Sequence, residues 1–364
     1  MRNKITMSKH TPVSKLITLS FLILLCVCIS VFAKDTKKEQ VNKTVTLNKT
    51  VTLNKTKIIP EILPQPSSKE PNTTKPIKVF ILSGQSNMVG MGRKDPLLKL
   101  AKEDKKYSYL LDKNGKWNTR KDVFFVSLTN KRINKYLTVD IMGRTLGPEL
   151  GFGHIVGEYF DEPVLIIKAA QGNRSIGHDV TPPSSRVGFA KEGQWYKGWQ
   201  WDSYVANVHK ILGNIKEYYP DYKGQGYEIA GYFWWQGHKD GGMSQRFYER
   251  HLCNLIRDFR KEFNAPDAPF VVATVGFDGM SMGKKYLEIL RAQMAVSDYE
   301  KYPEFKGNVA SVDTRTMGGG GYHYNNDGAT YTRVGDALGR AMADLLNTRA
   351  KNNNFKAKNN NYKK

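Results

Sequence analysis

Four short stretches of this chain carry the side chains that acyl transfer needs. Gly84-Gln85-Ser86-Asn87-Met88 offers a serine on a glycine turn. Gln171-Gly172-Asn173-Arg174-Ser175 offers a second glycine turn. Gln236-Gly237-His238-Lys239-Asp240 offers an amide, and Tyr322-His323-Tyr324-Asn325-Asn326, behind four glycines at 318–321, offers a histidine. A serine, amide and backbone donors, and a histidine are a nucleophile, an oxyanion site and a base. Singly, each has a plain structural reading. Ser86 could cap a helix, Gly172 could serve a tight turn, Gln236 could be a buried amide, and His323 is one of seven histidines. Their weight comes from where they fall, each beyond the end of a strand-like run.

Those runs are legible from their apolarity. Residues 77–83, 163–170, 228–235 and 269–277 are continuous apolar stretches, the mark of strands buried on both faces, and 308–313 is a weaker fifth. Helical periodicity separates them, at 147–160, 202–215, 244–263, 284–297 and 327–347. Strands alternating with helices predict a parallel sheet of five strands covered on both faces, with right-handed crossovers. In such a sheet, ligands bind beyond the carboxyl ends of the strands, which is where the four stretches lie. Residues 92–142 show no clean period and read as a loop-rich insertion.

The remaining chain is unlike this body. Arg2, Lys4, Lys9 and Lys15 precede an uncharged run at 16–33 that ends in Val31-Phe32-Ala33, so 1–33 reads as an export signal. Its 18 uncharged residues also suffice for an uncleaved anchor. Cleavage near Lys34 would place the protein outside the cytoplasm, secreted or periplasmic. Residues 34–76 repeat Thr-Val-Thr-Leu-Asn-Lys and then scatter prolines, a composition expected of a disordered linker. Residues 348–364, rich in Asn and Lys, read as a disordered basic tail, leaving 77–347 as the one folded domain. The formal charge is +22 over 364 residues, and 15 of those units sit in 1–76 and 346–364. Basic ends of this kind are solvated arms, and a reading as nucleic-acid binding would rest on them alone. Of the three cysteines only Cys253 lies outside the signal, so no intrachain disulfide is expected in the mature chain. No HExxH, CxxC, P-loop or GxGxxG occurs, so neither a metal nor another cofactor is expected.

Phe80-Ile81-Leu82-Ser83-Gly84-Gln85-Ser86-Asn87-Met88 resembles the nucleophile block of the sialate O-acetylesterase-like, carbohydrate-esterase branch of the SGNH (GDSL-like) hydrolases. Gly147-Pro148-Glu149-Leu150, residues 170–176, Trp234-Trp235-Gln236-Gly237 and Gly321-Tyr322-His323-Tyr324-Asn325 resemble its further blocks, so the likeness spans roughly 78–346. The resemblance implies a three-layer α/β/α, flavodoxin-like fold with a five-stranded parallel sheet of order 2-1-3-4-5. It also implies metal-free hydrolysis of O-acetyl esters on sugars. Carried over by position, Ser86 would be the nucleophile and His323 the base. The N–H groups of Ser86 and Gly172 and the side-chain amide of Gln236 would form the oxyanion hole.

The triad acid is where this chain departs from the pattern. The family places Asp three residues before the histidine, where Gly320 stands, or Glu directly after the Gln-Gly pair, where His238 stands. Asp313, ending the fifth strand, is the first alternative and Asp240 the second; a Ser–His dyad is the third. Trp199, Trp235 and Arg174 lie near the motif loops and are candidate sugar contacts. The expected partner is an acetylated carbohydrate, with no nucleic acid and no membrane once the signal is removed. Two other readings stay open: a carbohydrate-binding member of the fold with impaired catalysis, and an esterase for non-sugar esters.

Overall fold

The structure is a computed structural model that describes residues 56–66, 69–129 and 132–361. The expected signal at 1–33 and the linker up to residue 55 lie outside the described residues. The body is built on β1 (Ile77–Gly84), β2 (Gly92–Arg93), β3 (Thr119–Ser127), β4 (Ile133–Thr138) and β5 (Thr145–Leu146). These are followed by β6 (Val164–Ala170), β7 (Tyr227–Trp235), β8 (Phe270–Ala273) and β9 (Val309–Val312). The main helices are α1 (Ser86–Val89), α2 (Lys94–Glu103), α3 (Glu149–Tyr159), α4 (Trp199–Gly213), α5 (Ile215–Tyr218), α6 (Gln245–Glu262), α7 (Lys284–Ala295) and α8 (Gly328–Asn361).

Seven strands form one sheet in the order β4-β3-β6-β1-β7-β8-β9, and β2 pairs with β5 in a separate ribbon. The strand count and the full order therefore differ from the expected five. The difference lies at one edge, since β6-β1-β7-β8-β9 takes the five apolar runs in the order 2-1-3-4-5. β3 adds beside β6 in parallel, and β4 closes the edge antiparallel to β3. Both come from the region read as an insertion. Its polar appearance has a physical cause: Arg120 and Asp122 of β3 are fully buried, paired at 2.7 Å through Nη2 and Oδ2. Arg120 also donates to the carbonyl of His154, so its charge is compensated inside the fold.

Helices cover both faces. Phe152 of α3 meets Phe80 and Phe233, whereas Phe259 of α6 stacks on Tyr232. Successive residues of β7 point to opposite faces, so α3 and α6 lie on opposite sides of the sheet. Trp201 of α4 joins the α6 side, 4.4 Å from Phe259. Each buried Leu, Ile or Phe in these layers contributes about 1.5–3 kcal/mol.

Two segments expected to be disordered are ordered in part. Within 56–76, Lys57 exchanges hydrogen bonds with the Asn347 amide of α8, at 2.9 Å each. The Lys69 ammonium donates to the carbonyls of Gly157 and Phe160, at 2.7 and 2.5 Å, and Leu63 is buried. The C-terminal carbonyls of a helix lack partners and attract cations, so α3 supplies docking groups that the segment alone would not have. At the other end, α8 runs on through the expected tail to Asn361, and Arg349 lies 3.3 Å from Glu228. Among the described residues no helix is long and apolar enough to cross a membrane.

The register is what assembles the site. Gly84 pairs with Ala170 on one side and Trp235 on the other, and Trp235–Ala273–Val312 continue the same line. Five strands thus end level, and the loops that follow them share one edge.

Candidate active site

Ser86 is aimed by a turn that only glycine can make. Gly84 has φ +155°, and a Cβ there would lie 2.1 Å from the Trp235 carbonyl oxygen. The Gln85 N–H donates to that same oxygen at 3.1 Å, locking the turn to β7. Ser86 then opens α1, where a first-turn N–H has no acceptor within the helix. Beneath it Met88 is fully buried, and Asn87 accepts from the Tyr331 hydroxyl at 2.9 Å.

His323 arrives from the far end of the sheet. Residues 323–326 all lie in the left-handed region, with φ between +50° and +58°. For non-glycine residues this costs about 1–2 kcal/mol each, least for Asn. The strain is offset by anchoring. Tyr324 is buried against Trp235 and Tyr331, the Asn325 amide donates to the Gly320 carbonyl at 2.7 Å, and Asp327 caps α8. The outcome is a hydrogen bond of 2.8 Å between His323 Nε2 and Ser86 Oγ. Burial and the nearby His238 push the His323 pKa below its usual value, so the ring is neutral, with Nε2 free to accept a proton. Nδ1 has no hydrogen-bond partner among the described residues.

The expected acids are occupied elsewhere. Asp313 is held by Arg315, whose Nε lies 2.9 and 3.0 Å from the two carboxylate oxygens and whose N–H adds a third contact. Burial would raise its pKa, but these bonds outweigh that and hold it low. Asp240 is buried and joins two loops, accepting from the N–H groups of Ile176 and Gly177, the Ser175 hydroxyl and the Gln236 amide. Neither carboxylate bonds His323. The sequence could not show this, because both residues sit at the correct edge and only their side-chain partners distinguish them.

The oxyanion donors divide. Gly172 faces Ser86: a Cβ at this position would sit 3.9 Å from the Ser86 Cβ. Gln236 differs from expectation. Its amide nitrogen donates to Asp240 at 2.5 Å and to the Arg174 carbonyl at 2.8 Å, with the Gln85 side chain at 3.1 Å. Its oxygen accepts from Tyr248. Both amide hydrogens thus have acceptors within the protein, and Gln236 braces the loop that carries Gly172. Gln85, to which sequence reasoning gave no role, stitches the same region, its oxygen accepting from the N–H groups of Gly237 and Lys239.

Of the candidate sugar contacts, Trp235 is only 1% exposed and donates to the Thr274 carbonyl, which removes it from any ligand surface. Trp199 and Arg174 do come together, the guanidinium 4.9 Å from the ring centroid, next to the exposed Trp195. Across the site His238 stacks on Tyr286 at 5.3 Å, and Tyr322 covers His323 at 3.8 Å. The residues after the fourth apolar run carry no motif, and only inspecting their polar side chains would have flagged Asp278.

A family model described as carbohydrate esterase, sialic acid-specific acetylesterase, matches residues 76–344. No curated protein sequence matches the chain. Among solved structures, a protein from Arabidopsis thaliana is similar at 17% identity and a TM-score of 0.48, covering 73% of this chain and 98% of its own. A carbohydrate acetylesterase from Xanthomonas citri is similar at 13% identity and 0.47, covering 73% of this chain and 55% of its own. A carbohydrate esterase family 2 enzyme with a carbohydrate-binding domain, from Myceliophthora fergusii, follows at 12% and 0.40, covering 76% and 69%.

Proposed function

This chain belongs to the carbohydrate esterase, sialic acid-specific acetylesterase family, and from that premise we propose that it removes O-acetyl groups from carbohydrates with Ser86 as nucleophile. The observation that carries the reading is the 2.8 Å contact between Ser86 Oγ and His323 Nε2.

In the first half-reaction Oγ attacks the acetyl carbonyl carbon while Nε2 takes the hydroxyl proton. The carbonyl electron pair moves to oxygen, and the N–H groups of Ser86 and Gly172 receive the resulting oxyanion. Collapse breaks the acetyl–sugar C–O bond, and His323 returns its proton to the departing sugar oxygen. In the second half-reaction water attacks acetyl-Ser86 and gives its proton to His323. Acetate leaves and Ser86 recovers its hydrogen. Gln236 and Asp240 hold the Gly172 loop rather than the oxyanion. Trp199 and Arg174 receive the sugar. Neither the nucleophile nor the base needs a metal, so EDTA should leave the rate unchanged.

Ser86→Ala should abolish hydrolysis of p-nitrophenyl acetate and of acetylated glycans. Stability should change by no more than about 1 kcal/mol, since one hydrogen bond and no packing are lost. Undiminished turnover in this variant would remove Ser86 as nucleophile. Binding of glycan with no turnover in the wild type would favour a binding protein on the same fold.

The basic-then-apolar N-terminus supports export, with the mature chain starting near Lys34. Mass spectrometry of the secreted or periplasmic fraction should find that start. An intact chain beginning at Met1 in the membrane fraction would instead mean an anchor.

A further inference from the structure

We propose that Asp278 is the carboxylate that serves His323, reaching it from the loop after β8 rather than from either position the family uses; this rests on the esterase reading above. Three placements carry the inference. First, Asp278 lies against the spot where the family's acid would begin. A Cβ on Gly320 would sit 3.2 Å from the Asp278 Cα and 3.5 Å from its N. Gly320 has no side chain, and the Asp278 backbone closes against it beside the histidine loop. Second, the other family position, 238, adjoins the same loop. The His238 ring packs edge-on to Phe277 at 4.9 Å and lies 5.4 Å from Tyr322, which in turn covers His323. Asp278 is a carboxylate whose charge reaches His238, opposing Lys285. Third, Asp278 is uncommitted. Its side chain is exposed and makes no hydrogen bond or ion pair with the described residues, unlike Asp313 and Asp240.

The backbone marks the position too. Asp278 holds φ +63°, an unusual conformation for a residue with a side chain, at the sheet edge where the other site loops meet. Its role is that of a positioning residue. It selects the His323 tautomer with hydrogen on Nδ1 and stabilises the imidazolium formed when Nε2 takes the Ser86 proton.

The test is Asp278→Asn, because Asn adopts left-handed φ as readily as Asp and loses only the charge. Asp278→Gly is the second variant, since glycine accepts that φ without strain. Both should lower kcat at least about 10-fold with KM little changed, below the roughly 10⁴ lost when a bonded triad carboxylate is neutralised. In both, the His323 imidazole, followed by NMR, should titrate at lower pH than in wild type, a shift that a merely structural role would not produce. Adding Gly320→Asp to Asp278→Asn should restore part of kcat by supplying the charge from the neighbouring backbone. Unchanged kcat and unchanged His323 titration in both variants, with Ser86→Ala and His323→Ala inactive, would overturn the assignment and leave the esterase reading intact. Retained activity in Ser86→Ala would overturn both.

Discussion

At the scale of single residues the proposed chemistry turns on one imidazole. His323 accepts from Ser86 through Nε2, and burial together with His238 lowers its pKa. A lowered pKa means that the neutral, base-competent ring persists to lower pH. The acid limb of kcat/KM should therefore be centred below the ordinary histidine value of 6.5, and activity at pH 6.5 should exceed half of its plateau. A limb centred at or above 6.5 would show that the ring is exposed or paired in solution. The serine and the histidine were legible as residue types in sequence because each stands in a motif after a strand-like run. The partners of the acids were not. Asp313 and Asp240 have the right chemistry and the right edge, but Arg315 and the 175–177 loop, contacts that depend on packing, occupy them. Trp235 fails as a ligand contact for a similar reason: its exposure depends on Tyr324 and Tyr331, brought by a distant segment.

At the scale of elements, the placement of Ser86 depends on how closely β1 and β7 approach at their ends. The Trp235 carbonyl fills the space a Gly84 side chain would need and also accepts from Gln85. Gly84→Ala should therefore do two things at once. It should destabilise the protein by about 2 kcal/mol or more, from the clash and the φ. It should also lower kcat in the surviving folded fraction, since Ser86 moves with the turn. Urea unfolding beside initial rates corrected for folded fraction would separate the effects, and full kcat per folded molecule would refute the second. The four inner strands β6, β1, β7 and β8 were legible because both their faces are largely buried, which leaves a mostly apolar run, whereas the edge strand β9 gave a weaker signal. β3 and β4 were not. Arg120, Lys121 and Asp122 interrupt β3, and the buried Arg120–Asp122 pair is invisible without the fold. β4 is an edge strand whose charged and apolar residues alternate weakly. The described residues of 56–76 fall under the same limit, since their contacts are supplied by α3 and α8.

At the scale of the whole molecule, the buried histidines tie stability to pH. His154 lies in α3, 1% exposed, against Tyr109, with no partner for Nδ1 among the described residues. Burial, with Arg120 nearby, holds its pKa well below 6.5 in the folded state. His251 is pushed down to about 4, by burial first and then by Lys197 and Arg250. Both folded pKa values are depressed, so the unfolded chain binds the extra protons. The stability these rings contribute is complete above the unfolded pKa near 6.5 and is lost as pH falls toward the folded values. Each ring steepens the loss by up to about 1.4 kcal/mol per pH unit. Asp240 acts in the opposite sense, its pKa raised by burial. Comparing wild type with His154→Leu isolates one ring from that background. Leu removes the titrating group, and Nδ1 has no hydrogen-bond partner among the described residues to forfeit. Urea midpoints measured from pH 7 to 5 should fall more shallowly in His154→Leu than in wild type, whatever the variant's stability at pH 7. Parallel slopes would mean that His154 is already reached by water in the native state, and the acid sensitivity would then belong to His251 and the remaining groups.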